Sequence, residues 1–274
     1  MKSFTQKFIA LVAIGLLASC SGQKVQEKAV KSPIAQFRSH DNLKYMPMPK
    51  FPGRWTVDDV LHDYAAYSEE KLRPYFKKAK VDYPPNEVLF VALKQEKKLE
   101  IWAKGEGDFR FIRDYDIQAA SGVSGPKLRQ GDRQVPEGVY RIVGLNPNSH
   151  YHLSMKLNYP NEFDVSHADL EGRYDLGGDI FIHGKAASIG CLAMGDETIE
   201  ELFVLAARVG KENVKVVIAP RDPRVMPLDT DAEGLPFWTS ELYDQIASEI
   251  ELLSPPVSMS RNMESLQAEP QTEQ

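Results

Sequence analysis

Cysteine is nearly absent from this chain of 274 residues: Cys20 and Cys191 are the only two, and neither belongs to a C-x-x-C pair. A disulfide scaffold and a thioredoxin-like redox pair are therefore excluded. A basic excess is also missing, since 33 Lys and Arg stand against 39 Asp and Glu for a net charge of −6. That balance removes the electrostatic footprint of a nucleic-acid binder, and no nucleic-acid partner is expected. The apolar run at residues 8–18 reaches only about half the ~20 residues that a membrane-spanning helix needs. No H-E-x-x-H or comparable metal-ligand spacing appears, and there is no internal repeat. A zinc reading, in which His150, His152, His167 or His183 would join Cys191, has no such spacing behind it, so no metal and no cofactor is expected. With 42% hydrophobic and 26% charged residues, the chain is neither collagen-like nor wholly disordered, and it is long enough to bury a core.

What is present begins at residue 1. Lys2 and Lys7 give a basic start, the apolar run follows, and Leu17-Ala18-Ser19-Cys20 closes it with small residues before a cysteine. This reads as an export signal over residues 1–19. Its end resembles the bacterial lipobox, in which Cys20 becomes the lipidated first residue of the mature protein; an ordinary secretory signal is the plainer alternative. The resemblance, with Ser21 in place of an Asp, implies a lipid-anchored protein facing the periplasm, at the outer membrane. Membrane contact is then expected through Cys20 alone. Residues 20–50 are polar and Pro-containing and read as a linker, residues 51–86 as an N-terminal helical segment, and residues 254–274 as a disordered tail. With Cys20 acylated, Cys191 is a solitary thiol: either an inert buried side chain or a reactive group.

Within the body, Thr56-Val57-Asp58-Asp59 has the form of a capping box. Ser68 looks like the N-cap of a second helix, with Leu72, Tyr75 and Phe76 on one face. The Ser68-Glu69-Glu70-Lys71 pattern of serine enzymes lacks its S-D-N and K-T-G companions here. Residues 88–93 form a doubly apolar strand. Leu99–Trp102, Phe109–Ile112, Val139–Val143, His150–Leu157, Ile180–Ile182 and Val214–Ala219 continue the series. Ile199, Leu202, Phe203, Ala206 and Val209 recur at helical spacing, with Gly210 as a C-cap. Leu242, Ile246, Ile250 and Leu253 mark a last helix in a C-terminal helical extension over residues 221–253. The class is a β-rich α+β fold, sandwich-like or barrel-like, with flanking helices.

The chemistry concentrates at residues 180–194, where three apolar residues deliver His183 to a strand end and a loop of small residues leads to Gly190-Cys191. A paired imidazole favours the thiolate of a cysteine. Gly190 leaves room for a substrate carbonyl, and the N–H groups of Gly190 and Cys191 are candidate donors to the oxyanion of a tetrahedral intermediate.

His-Gly, a short loop and Ser-x-Gly-Cys resemble the signature of the YkuD-type L,D-transpeptidase family of peptidoglycan enzymes. Ser124-Gly125-Pro126-Lys127 through Gly131-Asp132 to Pro136-Glu137-Gly138-Val139-Tyr140 resembles the upstream part of the same domain, which would cover residues 87–220. Ile189 stands where family members usually have a second histidine, and Ala193 where they have Arg or Asn. Together with Leu145-Asn146-Pro147-Asn148-Ser149, His152 and Tyr159-Pro160-Asn161, this compact form is similar to the YafK-like branch. The resemblance implies an L,D-transpeptidase-like sandwich or barrel core. It implies Cys191 as nucleophile, His183 as general base and acid, and the Gly184 carbonyl as the group orienting His183. Ser188, His152 and His167 are candidate site-lining residues. Lys127, Arg129, Arg173 and Lys185 could meet a substrate carboxylate, although a solvated surface position suits each as well. The implied partners are peptidoglycan stem peptides and peptidoglycan-attached lipoprotein, with hydrolysis at the L-centre of diaminopimelate. Two alternatives stay open: a transpeptidase forming 3–3 cross-links or attaching lipoprotein, and a non-catalytic peptidoglycan-binding lipoprotein.

Overall fold

The structure is a computed structural model that describes residues 54–253. The expected signal, Cys20, the linker and the tail lie outside the described residues.

Helix α1 (Val57–Ala79) opens with a reciprocal capping box: the Thr56 hydroxyl accepts from the Asp59 N–H, and the Asp59 carboxylate accepts from the Thr56 N–H. The helix does not restart at Ser68. Val60, Tyr64, Ser68, Leu72 and Phe76 fall four residues apart and all are buried, so Ser68 continues the stripe in phase instead of capping a new helix. Its hydroxyl is fully buried and has no hydrogen-bond partner among the described residues.

The strands are β1 (Glu87–Leu93), β2 (Lys98–Lys104), β3 (Arg110–Asp116), β4 (Ala119–Ala120), β5 (Gly138–Ser149), β6 (His152–Leu157), β7 (Phe181–His183), β8 (Leu192–Ala193) and β9 (Val214–Ala219). They form one mixed sheet in the order β3-β2-β1-β9-β5-β6-β7-β8-β4. The β1–β9 and β7–β8 pairs are parallel and the others antiparallel. Strand β5 joins the two halves: Gly138–Arg141 pairs with β9, and from Ile142 onward it pairs with β6 across register shifts. Such irregularities bend a strand and raise its twist, which lets nine strands wrap around a core. The fold is α+β, a β-rich mixed sheet with helices on its faces.

Helix α2 (Glu162–Leu170) follows β6, α3 (Asp196–Val209) follows β8, and α4 (Thr239–Glu251) closes the described chain. Strand β1 shows why its sequence is apolar throughout. Val88, Phe90 and Ala92 point into the core shared with α1 and α3, while Leu89, Val91 and Leu93 point into a second core against Trp238, Leu242, Ile246 and Ile250. Three elements lie outside the sequence pattern, the first being the two-residue strand β4. Helix α2 has its own capping box, Asn161 with Asp164. The two-residue strand β8 stands between Cys191 and α3, where the sequence predicts a direct turn into the helix.

Replacing Ser68 by Ala removes a buried, unpartnered hydroxyl from a helix and should raise stability by roughly 0.5–1.5 kcal/mol. Chemical denaturation checks this; a lower midpoint would mean that the hydroxyl does find a partner.

Candidate active site

Strand β7 ends at His183, which is 3% exposed. Its Nδ1 lies 2.6 Å from the Gly184 carbonyl oxygen. A ring nitrogen that meets a carbonyl must carry the hydrogen, so the neutral ring keeps its lone pair on Nε2. Gly184 is boxed in: a Cβ there would lie 2.6 Å from Asp196 Oδ1, 2.7 Å from the Tyr151 carbonyl oxygen and 3.1 Å from the His152 Cβ. The next peptide is fastened to the start of α3, where Lys185 N–H donates to Asp196 Oδ1 at 2.7 Å and Gly195 N–H donates to the Lys185 carbonyl.

The parallel pairing of β7 and β8 sets Ile182 beside Leu192 and His183 beside Ala193. Stepping back one residue puts Cys191 beside Phe181. Cys191 thus immediately precedes β8, and the small Ala193 is the register partner of His183. The thiol is half-buried and donates weakly to the Asp179 carbonyl oxygen at 3.9 Å. No hydrogen bond joins it to His183 among the described residues.

Burial pushes the Cys191 thiol above its ordinary value; the Asp179 charge adds to this, while the Phe181 N–H and the Lys127 ammonium oppose it. Burial likewise pushes His183 below its ordinary value, against the effect of its bond to Gly184. Both shifts disfavour charge. Both directions favour a thiol and a neutral imidazole over an ion pair.

The two amides expected to face an oxyanion are already engaged. Gly190 N–H donates to Ser121 Oγ at 2.6 Å, and Cys191 N–H donates to Ser188 Oγ at 3.2 Å. Ser188 in turn donates to the Cys191 carbonyl at 2.6 Å, and its oxygen lies 3.3 Å from that of Ser121. In this arrangement the N–H groups of Gly190 and Cys191 are bound by the hydroxyls of Ser121 and Ser188. Ser188 buttresses the nucleophile's peptide. Ser121, 69 residues before Gly190, carried no sequence signal, because its role exists only once β4 pairs with β8.

The other candidates separate. His152 is buried under Gly184 and binds Glu200 of α3 at 2.6 Å, so it supports the site from behind. His167 stacks on Trp238 at 4.9 Å and touches Phe163; the structure does not bring it to Cys191. His150 is exposed. Lys127 is not a solvated surface charge: it is 6% exposed and donates to Asp132 and to the Arg129 carbonyl. Arg129 is exposed, Arg173 pairs with Glu171 and donates to the Leu128 carbonyl, and Lys185 donates to the His150 carbonyl. One further neighbour escaped the sequence reading: the Tyr151 ring lies 4.5 Å from that of His183.

Replacing Gly184 by Ala should cost at least tenfold in turnover, because the methyl group must displace α3 or the hairpin that carries Tyr151. Alkylation of the resting thiol by iodoacetamide, followed against pH, should have its midpoint above the ordinary thiol value; a midpoint below it would contradict the neutral pair.

Comparisons with known proteins agree on the domain. Residues 86–218 match the family model of the L,D-transpeptidase catalytic domain, YkuD. YafK of Escherichia coli, from strains K12 and O157:H7 and provisionally named an L,D-transpeptidase, is 35% identical over 158 residues. That stretch is 56% of this chain and 62% of the relatives' length, so the chain spans less than two thirds of the curated relatives it matches. Among solved structures, the helical cell shape determining protein Pgp2 of Campylobacter jejuni aligns with 23% identity over 56% of this chain and 55% of its own, at a TM-score of 0.41. Bd1075 of Bdellovibrio bacteriovorus aligns with 18% identity over 67% of this chain and 58% of its own, at 0.36.

Proposed function

Since the chain carries a YkuD-type L,D-transpeptidase catalytic domain at residues 86–218, we propose that it is a cysteine amidase of the bacterial cell envelope, acting on peptidoglycan stem peptides at the L-centre of diaminopimelate. The bond it hydrolyses is the one joining peptidoglycan to an attached lipoprotein. The observation that carries this reading is the tautomer of His183: Nδ1–H is held by the Gly184 carbonyl at 2.6 Å, so Nε2 is the base.

The chemistry follows from the neutral resting pair. Substrate seated over Ala193 brings its carbonyl carbon to the Cys191 sulfur. As the C–S bond forms, the thiol proton passes to His183 Nε2, and the carbonyl π electrons move onto oxygen. The tetrahedral intermediate collapses, the C–N bond breaks, and His183 returns the proton to the leaving lysine amine. Water then attacks the thioester, giving up a proton to His183 and restoring the thiol. Because burial penalises the imidazolium and the thiolate alike, proton transfer belongs to the attack itself and does not precede it. No carboxylate is needed to orient the base, as a backbone carbonyl does so. We also place the protein on a lipid tether at Cys20, facing the periplasm; Cys20→Ala should abolish incorporation of labelled palmitate, and retained label would refute the tether.

Digestion of purified sacculi carrying attached lipoprotein, with mass analysis of both products, tests the activity. The full chain should release lipoprotein ending in a free lysine. Cys191→Ala should be inactive and His183→Ala about 10²–10⁴-fold slower. New cross-linked muropeptide dimers in place of free lysine would identify a transferase using the same thioacyl-enzyme. Binding to sacculi without any turnover would leave a peptidoglycan-binding lipoprotein.

A further inference from the structure

His183 lacks the carboxylate partner that usually tunes a catalytic imidazole, yet it must stay unprotonated to accept the thiol proton. The hairpin between β5 and β6 supplies what covers it. Tyr151 sits at the hairpin tip, with its ring centroid 4.5 Å from that of His183 and the planes inclined at 37°. This is an offset, tilted stack within the favourable range for aromatic pairs. Tyr151 is 40% exposed, so the residue reaches solvent while its ring packs on the imidazole. No hydrogen bond of its hydroxyl occurs among the described residues; the contact is made by the ring. Lys185 completes the pile: its Nζ lies 5.8 Å from the Tyr151 centroid and donates to the His150 carbonyl at 2.5 Å, which ties the hairpin to the loop that follows His183.

We infer that Tyr151 is a positioning residue for His183, its ring serving as the cover that holds the imidazole in its plane and keeps water from it. This inference rests on the reading of His183 as the base. The charged and titratable groups around the ring leave this task to Tyr151. From the hairpin, His152 is directed away and bound to Glu200 of α3. From α3, Asp196 is taken up by the Lys185 N–H. Beyond β7, Asp179 and Lys127 act on the Cys191 sulfur, not on the imidazole. From its own loop, the Lys185 ammonium lies 5.8 Å from the Tyr151 centroid and is bound to the His150 carbonyl. Burial is what depresses the proton affinity of His183, and the Tyr151 ring, 4.5 Å away and itself partly exposed, is one of the groups that bury it.

The sign is set by solvation. Removing the ring lets water reach the imidazole, protonation becomes easier, and the titration midpoint rises toward that of a free histidine. The acid limb of the activity profile should therefore move to higher pH. We would titrate His183 by NMR in the full chain labelled at histidine, using His183→Gln to assign the signal. Tyr151→Ala should raise the midpoint by about half a unit to one unit, Tyr151→Leu by less, and Tyr151→Phe not at all. On sacculi, Tyr151→Ala should shift the acid limb by the same amount and lower kcat more than it raises KM. An unchanged midpoint in Tyr151→Ala would overturn the inference, as would a Phe variant that shifts as far as Ala. If the midpoint moves while the acid limb stays, and His183→Ala retains turnover, the cover stands and the assignment of His183 as base falls.

Discussion

The 2.6 Å hydrogen bond from His183 Nδ1 to the Gly184 carbonyl is the constraint on which the site depends. It decides which nitrogen is basic, and it does so with the residue next in the chain. A backbone acceptor cannot change its charge with pH, unlike a carboxylate, but its direction is only as good as the peptide that carries it. Hence the tight packing around Gly184, where Asp196, Tyr151 and His152 leave no room for a Cβ. Two of the anchors that hold this arrangement come from one helix: α3 supplies Asp196 to the Lys185 amide and Glu200 to His152. Because α3 begins three residues after Leu192–Ala193 ends, the helix that anchors the His183 loop is nearly continuous with the strand that follows Cys191.

The Gly190-Cys191 segment is held by the stretch between β4 and β5. Ser121 and Ser188 satisfy the amides of Gly190 and Cys191, and the Ser121 segment has its own buried support. Lys94 donates to the carbonyls of Val123 and Val135 and pairs with Glu137 at 2.9 Å, while Glu137 also accepts from Gly125 N–H and from the Tyr243 hydroxyl of α4. The side chain of Glu137 is completely buried. Breaking such a pair by removing one partner costs about 3–5 kcal/mol, since the other charge is left without compensation. The motif that runs from Gly125 to Tyr140 is thus a scaffold whose ionic centre lies beneath the catalytic loop and links it to α4.

Several of these relations were legible before any coordinates, and the reasons are local. A capping box advertises itself within four residues, so Thr56–Asp59 could be read directly. The doubly apolar run of β1 signals a strand covered on both faces. His183 and Cys191 stand close in sequence in a loop of small residues, so the pair was visible as a candidate. The reading failed where a residue's role is assigned by something distant. Ser68 has the chemistry of an N-cap, but the stripe from Val60 to Phe76 passes through it and helix packing overrides the local preference. Gly190 and Cys191 look like free donors until Ser121 arrives with β4. Lys127 looks like surface charge until Asp132 and its surroundings bury it.

What the sequence determined alone was the inventory and its order: one thiol in the body, one histidine eight positions before it, glycines where backbone must pass closely, and an apolar pattern that dictates an α+β core. Those follow from residue chemistry and from periodicities of two and 3.6, which neighbours along the chain suffice to express. Only the tertiary structure decided which imidazole nitrogen carries the hydrogen, which amides are already occupied, and that a tyrosine ring from a separate hairpin lies against His183. Each of these is a choice between partners that several positions could have filled. Sheet pairing and helix packing make that choice by bringing together groups from separate elements, and no local pattern records the result.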